Sequence, residues 1–441
     1  MNYVFITLLG ALLLKDILPL GDRYVLRGLS EGLALAVGLR WIMTHQFPGF
    51  TKRYALVFLY LATLMLTAAV SQQPLIVILQ VISLASVALF FIAYIESSAL
   101  DRDTFRRNLF AVALAFGLVC VASLVLLVSM PQLTFEVTPE GNRFRGVFNE
   151  PAMMGAVSGL LVGLAAFGKF PWLIRIIGAL AAVPCLYLTG SRTSWGAAVA
   201  GLSITGILYM RQKKLWVSAL AFAGIVGVLG MIAIDLRISS DAQSRALRSE
   251  SLDTMSGRTV LWNLALKRYW DSPILGYGFT TGSDALTKDM GAVLSNAFGV
   301  TDQKHQQSFS LHSGYVQALL DSGALGAGLY LIILFAALWS LVRKDTERVY
   351  GAELYCLVFF TISNITDTII FGAAVFYEVF YWYVIALALR IGSLRPESLA
   401  KAVWHATNST NEQPVSASTG AGVLAQPPFV PTRRRFPLLS D

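Results

Sequence analysis

The chain has 441 residues, 56% of them hydrophobic and 14% charged, with a mean hydropathy of +0.63 and a formal net charge of +8. Soluble domains run at about 45–50% apolar and about 25% charged residues, so this balance excludes an ordinary soluble enzyme, a disordered chain and a disulfide-stapled secreted domain. Apolar runs near the length that crosses a bilayer, about 20 residues, recur along nearly the whole chain and do not alternate as membrane β-strands would. The fold class expected is all-α: a polytopic integral membrane protein.

In chain order, hydropathy predicts twelve spans at roughly 3–20, 28–45, 54–70, 75–95, 108–130, 151–168, 172–189, 194–210, 215–234, 324–342, 350–370 and 375–393. Met1 to Leu20 is apolar but has no basic leader and no small-residue cleavage site, so it is expected to stay as the first span. A polar segment, 235–310, separates spans nine and ten, and a shorter helical stretch from 311 re-enters the bilayer ahead of the tenth. Residues 1–395 are thus expected to form one transmembrane domain, with 235–323 as its long loop and re-entrant helix. Residues 396–441 are rich in Ser, Thr, Pro, Gly and Gln and should be a disordered tail.

Short-loop basic residues set the orientation. With the N-terminus inside, inner loops carry Lys52, Arg53, Arg102, Arg106, Arg107, Lys169, Arg175, Arg211 and Arg343, among others. The outer short loops hold only Arg23, Arg27, Arg143, Arg145 and Arg192. Both termini are therefore expected inside and 235–310 outside, where eight basic and eight acidic residues leave it near neutral. Basic residues in such a chain report topology, and nucleic acid is not implied. Cys120, Cys185 and Cys356 sit in apolar runs without metal-type spacing and read as buried hydrophobes. The four histidines are scattered, so no metal site and no cofactor is expected.

The arginines placed outside carry the functional signal. Arg192 follows Thr189-Gly-Ser and precedes Thr193-Ser194, capping-type residues at a helix start. Free N–H groups and a guanidinium there suit a phosphate, though an arginine snorkelling to headgroups fits equally well. Arg145 lies in Arg143-Phe-Arg-Gly-Val-Phe-Asn-Glu-Pro151, with Glu150 at the mouth of the span that Pro151 opens; a surface arginine beside a helix cap is the plainer reading. Arg258 falls in the first turn of an amphipathic helix that Ser256 could cap and Asp271-Ser-Pro273 would end. A cation there opposes the helix dipole unless an anion is shared. His312 begins the re-entrant stretch, where an imidazole with a pKa near about 6.5 could move a proton, or simply make a structural hydrogen bond. Asp367 lies near the outer end of one span and Glu378 starts the next; both function and pairing with an outer arginine remain open.

Four segments taken together resemble one family. They are Arg145-Gly-Val-Phe-Asn-Glu-Pro151, Gly190-Ser-Arg-Thr193, Gly257-Arg-Thr-Val-Leu-Trp262 with Pro273-Ile-Leu-Gly-Tyr-Gly278, and His312-Ser-Gly-Tyr315 with Gly323-Ala-Leu-Gly326. In this order they are similar to the O-antigen ligase and polymerase superfamily of bacterial inner-membrane glycosyltransferases. The resemblance implies an active site at the periplasmic face and an undecaprenyl-diphosphate-linked glycan as donor. The acceptor it implies is either lipid A core, in a ligase, or a second lipid-linked glycan, in a polymerase of O-antigen or exopolysaccharide. It also implies that Arg192 and Arg258, with Arg145, bind the donor diphosphate, that His312 is the catalytic base, and that Glu150, Asp367 and Tyr315 support them. Transfer would be metal-independent and inverting, with ligase-type transfer placed narrowly first. The family's usual His-Asn pair is His312-Ser313 here, which puts any role for the Asn side chain in doubt. Two readings of another class stay open: a transporter of lipid-linked sugars, and a non-catalytic partner in polysaccharide assembly.

Overall fold

A backbone crossing hydrocarbon must satisfy its own N–H and C=O groups, and helices do so within each segment. The computed structural model describes residues 2–17, 23–44, 50–98, 102–138, 141–209, 258–286, 311–344, 349–368 and 375–393, and these are almost entirely helical. The ninth expected span, Ser256, most of the 235–310 segment and the 396–441 tail lie outside the described residues.

The helices are α1 (Asn2–Ile17), α2 (Arg23–Thr44), α3 (Phe50–Leu66, continued by a 3-10 turn Thr67–Ala69), α4 (Pro74–Ser97), α5 (Arg102–Ser129), a single turn α6 (Pro131–Thr134), α7 (Pro151–Phe167), α8 (Trp172–Leu188), α9 (Arg192–Tyr209), α10 (Arg258–Tyr269), α11 (Gly314–Lys344), α12 (Gly351–Thr366) and α13 (Phe376–Gly392). Among the described residues a helix stands at each of the eleven expected spans other than the ninth. Among the described residues four are long and apolar enough to cross a membrane, within Lys52–Ala69, Pro74–Ser97, Asp103–Ser129 and Gly314–Arg343. Pro151–Phe167, Trp172–Leu188 and Gly351–Thr366 are apolar but shorter. α5 starts six residues before the hydropathic run because a charged first turn, Arg102 to Arg107, continues the same helix.

α13 is the axis of the bundle. Its residues from Phe376 to Leu389 are all buried, the pattern of a helix with no solvent face. α4 and α11 pack on it, and α12 packs against α7 and α9. Small residues set the α7 contacts: a Cβ at Gly159 would strike the Phe359 ring, and one at Gly163 the Tyr355 ring. The Tyr355 hydroxyl then donates to the Gly159 carbonyl at 2.8 Å. Exposed Leu79, Leu118, Val125, Leu180, Leu331 and Phe335 give the outside of the bundle the apolar belt that lipid covers. Cys120, Cys185 and Cys356 are free and buried.

One element was not expected. Phe135–Thr138 pairs antiparallel with Gly141–Phe144, with Phe135 opposite Phe144 and Glu136 opposite Arg143. The rings of Phe135 and Phe144 meet edge to face at 5.8 Å. Cross-strand pairs of this kind favour a hairpin, but four residues a side are too few to register against neighbouring apolar helices in a hydropathy reading.

Candidate active site

Local sequence fixes the start of each helix that bears a candidate residue. Gly190 takes a φ of +60°, and the Ser191 hydroxyl then accepts the Ser194 N–H at 3.3 Å, capping α9 as its sequence predicts. Arg192 is therefore the first residue of α9, and it is exposed. Arg258 is likewise the first residue of α10, which ends at Tyr269 ahead of Asp271. Pro151 opens α7 with Glu150 at the N-cap position; Glu150 is exposed and makes no side-chain cap bond.

His312 stands two residues before α11, exposed, with a φ of +48°. A non-glycine residue held at positive φ costs on the order of 1–3 kcal/mol and persists only where its surroundings impose it. Two bonds beside it do so. The Trp262 indole donates to the Leu311 carbonyl at 2.8 Å, and the Gly314 N–H donates to the Asp367 carbonyl at 3.1 Å. Ser313 is buried, and its hydroxyl accepts the Val316 N–H at a long 3.5 Å. Serine and asparagine both have side-chain oxygens able to accept a helix-start N–H, so Ser313 offers a cap here.

These contacts bring separate helices to one end of the bundle. Trp262 lies one helical turn beyond Arg258, so the start of α10 is tied to the residue before His312. The Thr193 and Thr366 hydroxyls are 2.8 Å apart, so the start of α9 meets the end of α12, where Asp367 also sits. Asp367 caps its own helix end and accepts the Thr368 N–H on Oδ1 at 2.9 Å. Tyr315 is committed to structure: its hydroxyl donates to the Thr361 carbonyl at 2.8 Å. Arg192, His312, Tyr315 and Asp367 are thus gathered by α9, α11 and α12, with the first turn of α10 alongside.

Arg145 is less free. Its Nε and Nη2 both donate to the Leu133 carbonyl at 3.3 Å, so part of its guanidinium locks the turn after the hairpin. Arg143 reaches the Thr189 carbonyl at 3.4 Å and holds the hairpin to the end of α8. Among the described residues, no three His, Cys, Asp or Glu side chains are placed to hold a metal ion.

Two groups at this end escape a sequence reading. Lys15 and Asp16 form a buried ion pair at 3.2 Å. The Asp16 carboxylate accepts the Phe376 N–H at 3.4 Å, and its carbonyl accepts the Asn149 amide at 3.3 Å. Adjacent opposite charges inside an apolar run were the available signal. The second group surrounds Asp321, which is fully buried and receives hydrogen bonds from the 280–282 turn. That turn also reaches back to α3, where Thr67 Oγ1 accepts the Phe279 N–H at 3.0 Å.

A family described as O-antigen ligase matches residues 177–331, a stretch that holds Arg192, Arg258, His312 and Tyr315 but not Arg145, Glu150 or Asp367. The chain is also 25% identical over 285 residues to the exopolysaccharide production protein ExoQ of Rhizobium meliloti (strain 1021), covering 57% of this chain and 61% of that relative. The chain therefore spans less than two thirds of the relative's length. The family match is to the ligase side of the superfamily that the motifs resemble, and the relative is named for exopolysaccharide production.

Proposed function

We propose that this chain is a multi-pass bacterial inner-membrane glycosyltransferase of the O-antigen ligase and polymerase type. It works at the periplasmic face with both termini in the cytoplasm, taking a glycan from an undecaprenyl-diphosphate-linked donor. What supports the reading most is the meeting of three helix starts, those of α9, α10 and α11, beside the end of α12. Cation-bearing and base-bearing residues from distant parts of the sequence share that place.

In this reading Arg192 and Arg258 bind the diphosphate. Guanidinium forks match phosphate oxygens, and each charge-assisted hydrogen bond is worth about 1.5–3 kcal/mol. Helix N-termini add N–H groups and a positive dipole end. The acceptor hydroxyl oxygen attacks the anomeric carbon while the bond from that carbon to the diphosphate oxygen breaks. The electron pair leaves on the phosphate, where the arginines stabilise the growing charge. His312 takes the hydroxyl proton, a contribution of about 10²–10⁴-fold for a general base. One direct displacement inverts the anomeric centre and needs no metal ion. Arg145, partly engaged by Leu133, contributes positive charge at the edge; Asp367 and Tyr315 hold helix ends, and Glu150 stands at the mouth of α7.

Lipid A core as acceptor, a ligase reaction, is put first. The similarity to an exopolysaccharide production protein favours a second reading, in which the acceptor is another lipid-linked glycan and the product a polymer. Purified protein given carrier-linked oligosaccharide and each acceptor in turn tests both. New glycosidic bonds are expected with one acceptor and lost in Arg192→Ala, Arg258→Ala and His312→Ala. Near-normal product from all three variants removes this site. Movement of the glycan across a vesicle without new bonds makes the protein a transporter instead.

A further inference from the structure

Asp321 takes no part in the chemistry above, yet both of its carboxylate oxygens are engaged at 0% exposure. Oδ1 accepts the Gly282 N–H at 2.9 Å and the Gln317 amide at 2.7 Å, and Oδ2 accepts the Thr280 N–H at 3.0 Å. The main chain beside it continues the joint. The Asp321 carbonyl accepts the Gly278 N–H at 2.9 Å, and the Leu320 carbonyl accepts the Tyr277 N–H at 3.0 Å.

The backbone on both sides is built for this one partner. Gly278 and Thr280 take φ values of +114° and +63°, and the turn they form directs its N–H groups to an anion. Across the joint, Gly323 takes a φ of +63° and breaks α11 two residues past Asp321. The carbonyls of Pro273 and Ile274 fill that break by accepting the Ala324 and Leu325 N–H groups at 2.7 and 3.3 Å. A buried carboxylate is costly unless several hydrogen bonds meet it. Asparagine would turn one of these acceptors into a donor facing an N–H group.

The two sides of the joint are the two sides of the candidate site. Segment 273–282 continues the chain that leaves α10, whose first residue is Arg258. The half-helix 314–322 carries His312 at its entry. We propose that Asp321 is the positioning residue of the site: its carboxylate fixes the α10 side, with Arg258, against the α11 side, with His312. This rests on the glycosyl-transfer reading, in which cation and base must keep one separation while the bond to the diphosphate breaks.

The test uses the full-length protein in nanodiscs, with spin labels at two pairs of exposed sites. Asn263 on α10 with Ile365 on α12 reports the site, and Leu118 on α5 with Leu180 on α8 reports the rest of the bundle. Native cysteines are buried, so labelling is confined to introduced thiols. Asp321→Asn is expected to shift or broaden the 263–365 distance and leave 118–180 unchanged. Its kcat for transfer should fall by about tenfold or more, as misplacement of reacting groups does, while donor KM moves about threefold or less. Gln317→Leu removes one donor, keeps the carboxylate, and should shift both readouts the same way by less; it carries the test if Asp321→Asn cannot be purified. The proposal is overturned if Asp321→Asn keeps both distances and its kcat, or if it spreads both pairs alike, which marks a general fold-holding group. Absence of product from the wild type would sink the glycosyl-transfer reading, while the label distances would still decide whether Asp321 sets the joint.

Discussion

At the end of the bundle away from the candidate site, buried Glu96 gathers Arg53 and Arg390. Its Oε1 accepts from Arg53 Nη1 and from the Tyr54 hydroxyl at 2.9 Å, and Arg390 Nε lies 3.3 Å away. The start of α3 and the ends of α4 and α13 are tied there by ion pairs to one carboxylate, although the Nε atoms of Arg53 and Arg390 are buried without a hydrogen-bond partner. At the opposite end, Arg192 and His312 are exposed, Gly323 interrupts a helix, and His312 and Thr280 sit at positive φ. Burial and pairing thus separate structural from functional charge in this membrane protein. A buried ionisable group costs free energy that pairing inside the protein offsets in part, whereas an exposed one keeps its solvation and stays within reach of a ligand.

Glu96→Gln leaves two arginines without their carboxylate and should destabilise by about 3–5 kcal/mol, as removal of one partner from a buried pair does. Transfer per folded molecule should be unchanged. Thermal unfolding in detergent beside a turnover assay reads both; equal stability with lost transfer would reverse the assignment of the two ends. Arg192→Ala should do the opposite: little change in unfolding temperature, and transfer lowered about a hundredfold, the equivalent of about 2.7 kcal/mol. Loss of folded protein in that variant would make Arg192 structural.

Gly323→Ala sharpens the contrast within the site end itself. A Cβ there would meet the Ile274 carbonyl, in an essentially glycine-only conformation (φ +63°, ψ −170°) that costs an L-residue roughly 1–3 kcal/mol before the clash is counted. A lower unfolding temperature together with reduced transfer is expected, and wild-type values for both would show that the break is not required. The smallest effect belongs to Ser313. Ser313→Ala should cost about 1 kcal/mol as a lost cap, and Ser313→Asn should stay within a few tenths of wild type. An Asn variant as impaired as the Ala one would show that serine does more than cap.

The positions of the helices were legible because hydropathy acts locally. Pro151 at the start of α7, the Ser191 cap, the first-turn position of Arg258 and the division of 311–342 at Gly323 all follow from neighbours within a few residues. The hairpin at 135–144 did not show, since its pairing depends on a turn rather than on an apolar run. Lys15 and Asp16 were hidden in a stretch whose average hydropathy masks two charges that neutralise each other.

An apolar, many-helix chain, the ends of most helices, and a few arginines and a histidine out of place for topology can all be read from residue order alone. Only the tertiary structure decided which helix ends meet: Trp262 with Leu311, Thr193 with Thr366, Gly314 with Asp367, and Asp321 with the 280–282 turn. The reason is one of range. Burying an apolar helix needs only its own residues and lipid, whereas a hydrogen bond between residues 39 to 173 positions apart exists only once packing has placed both partners.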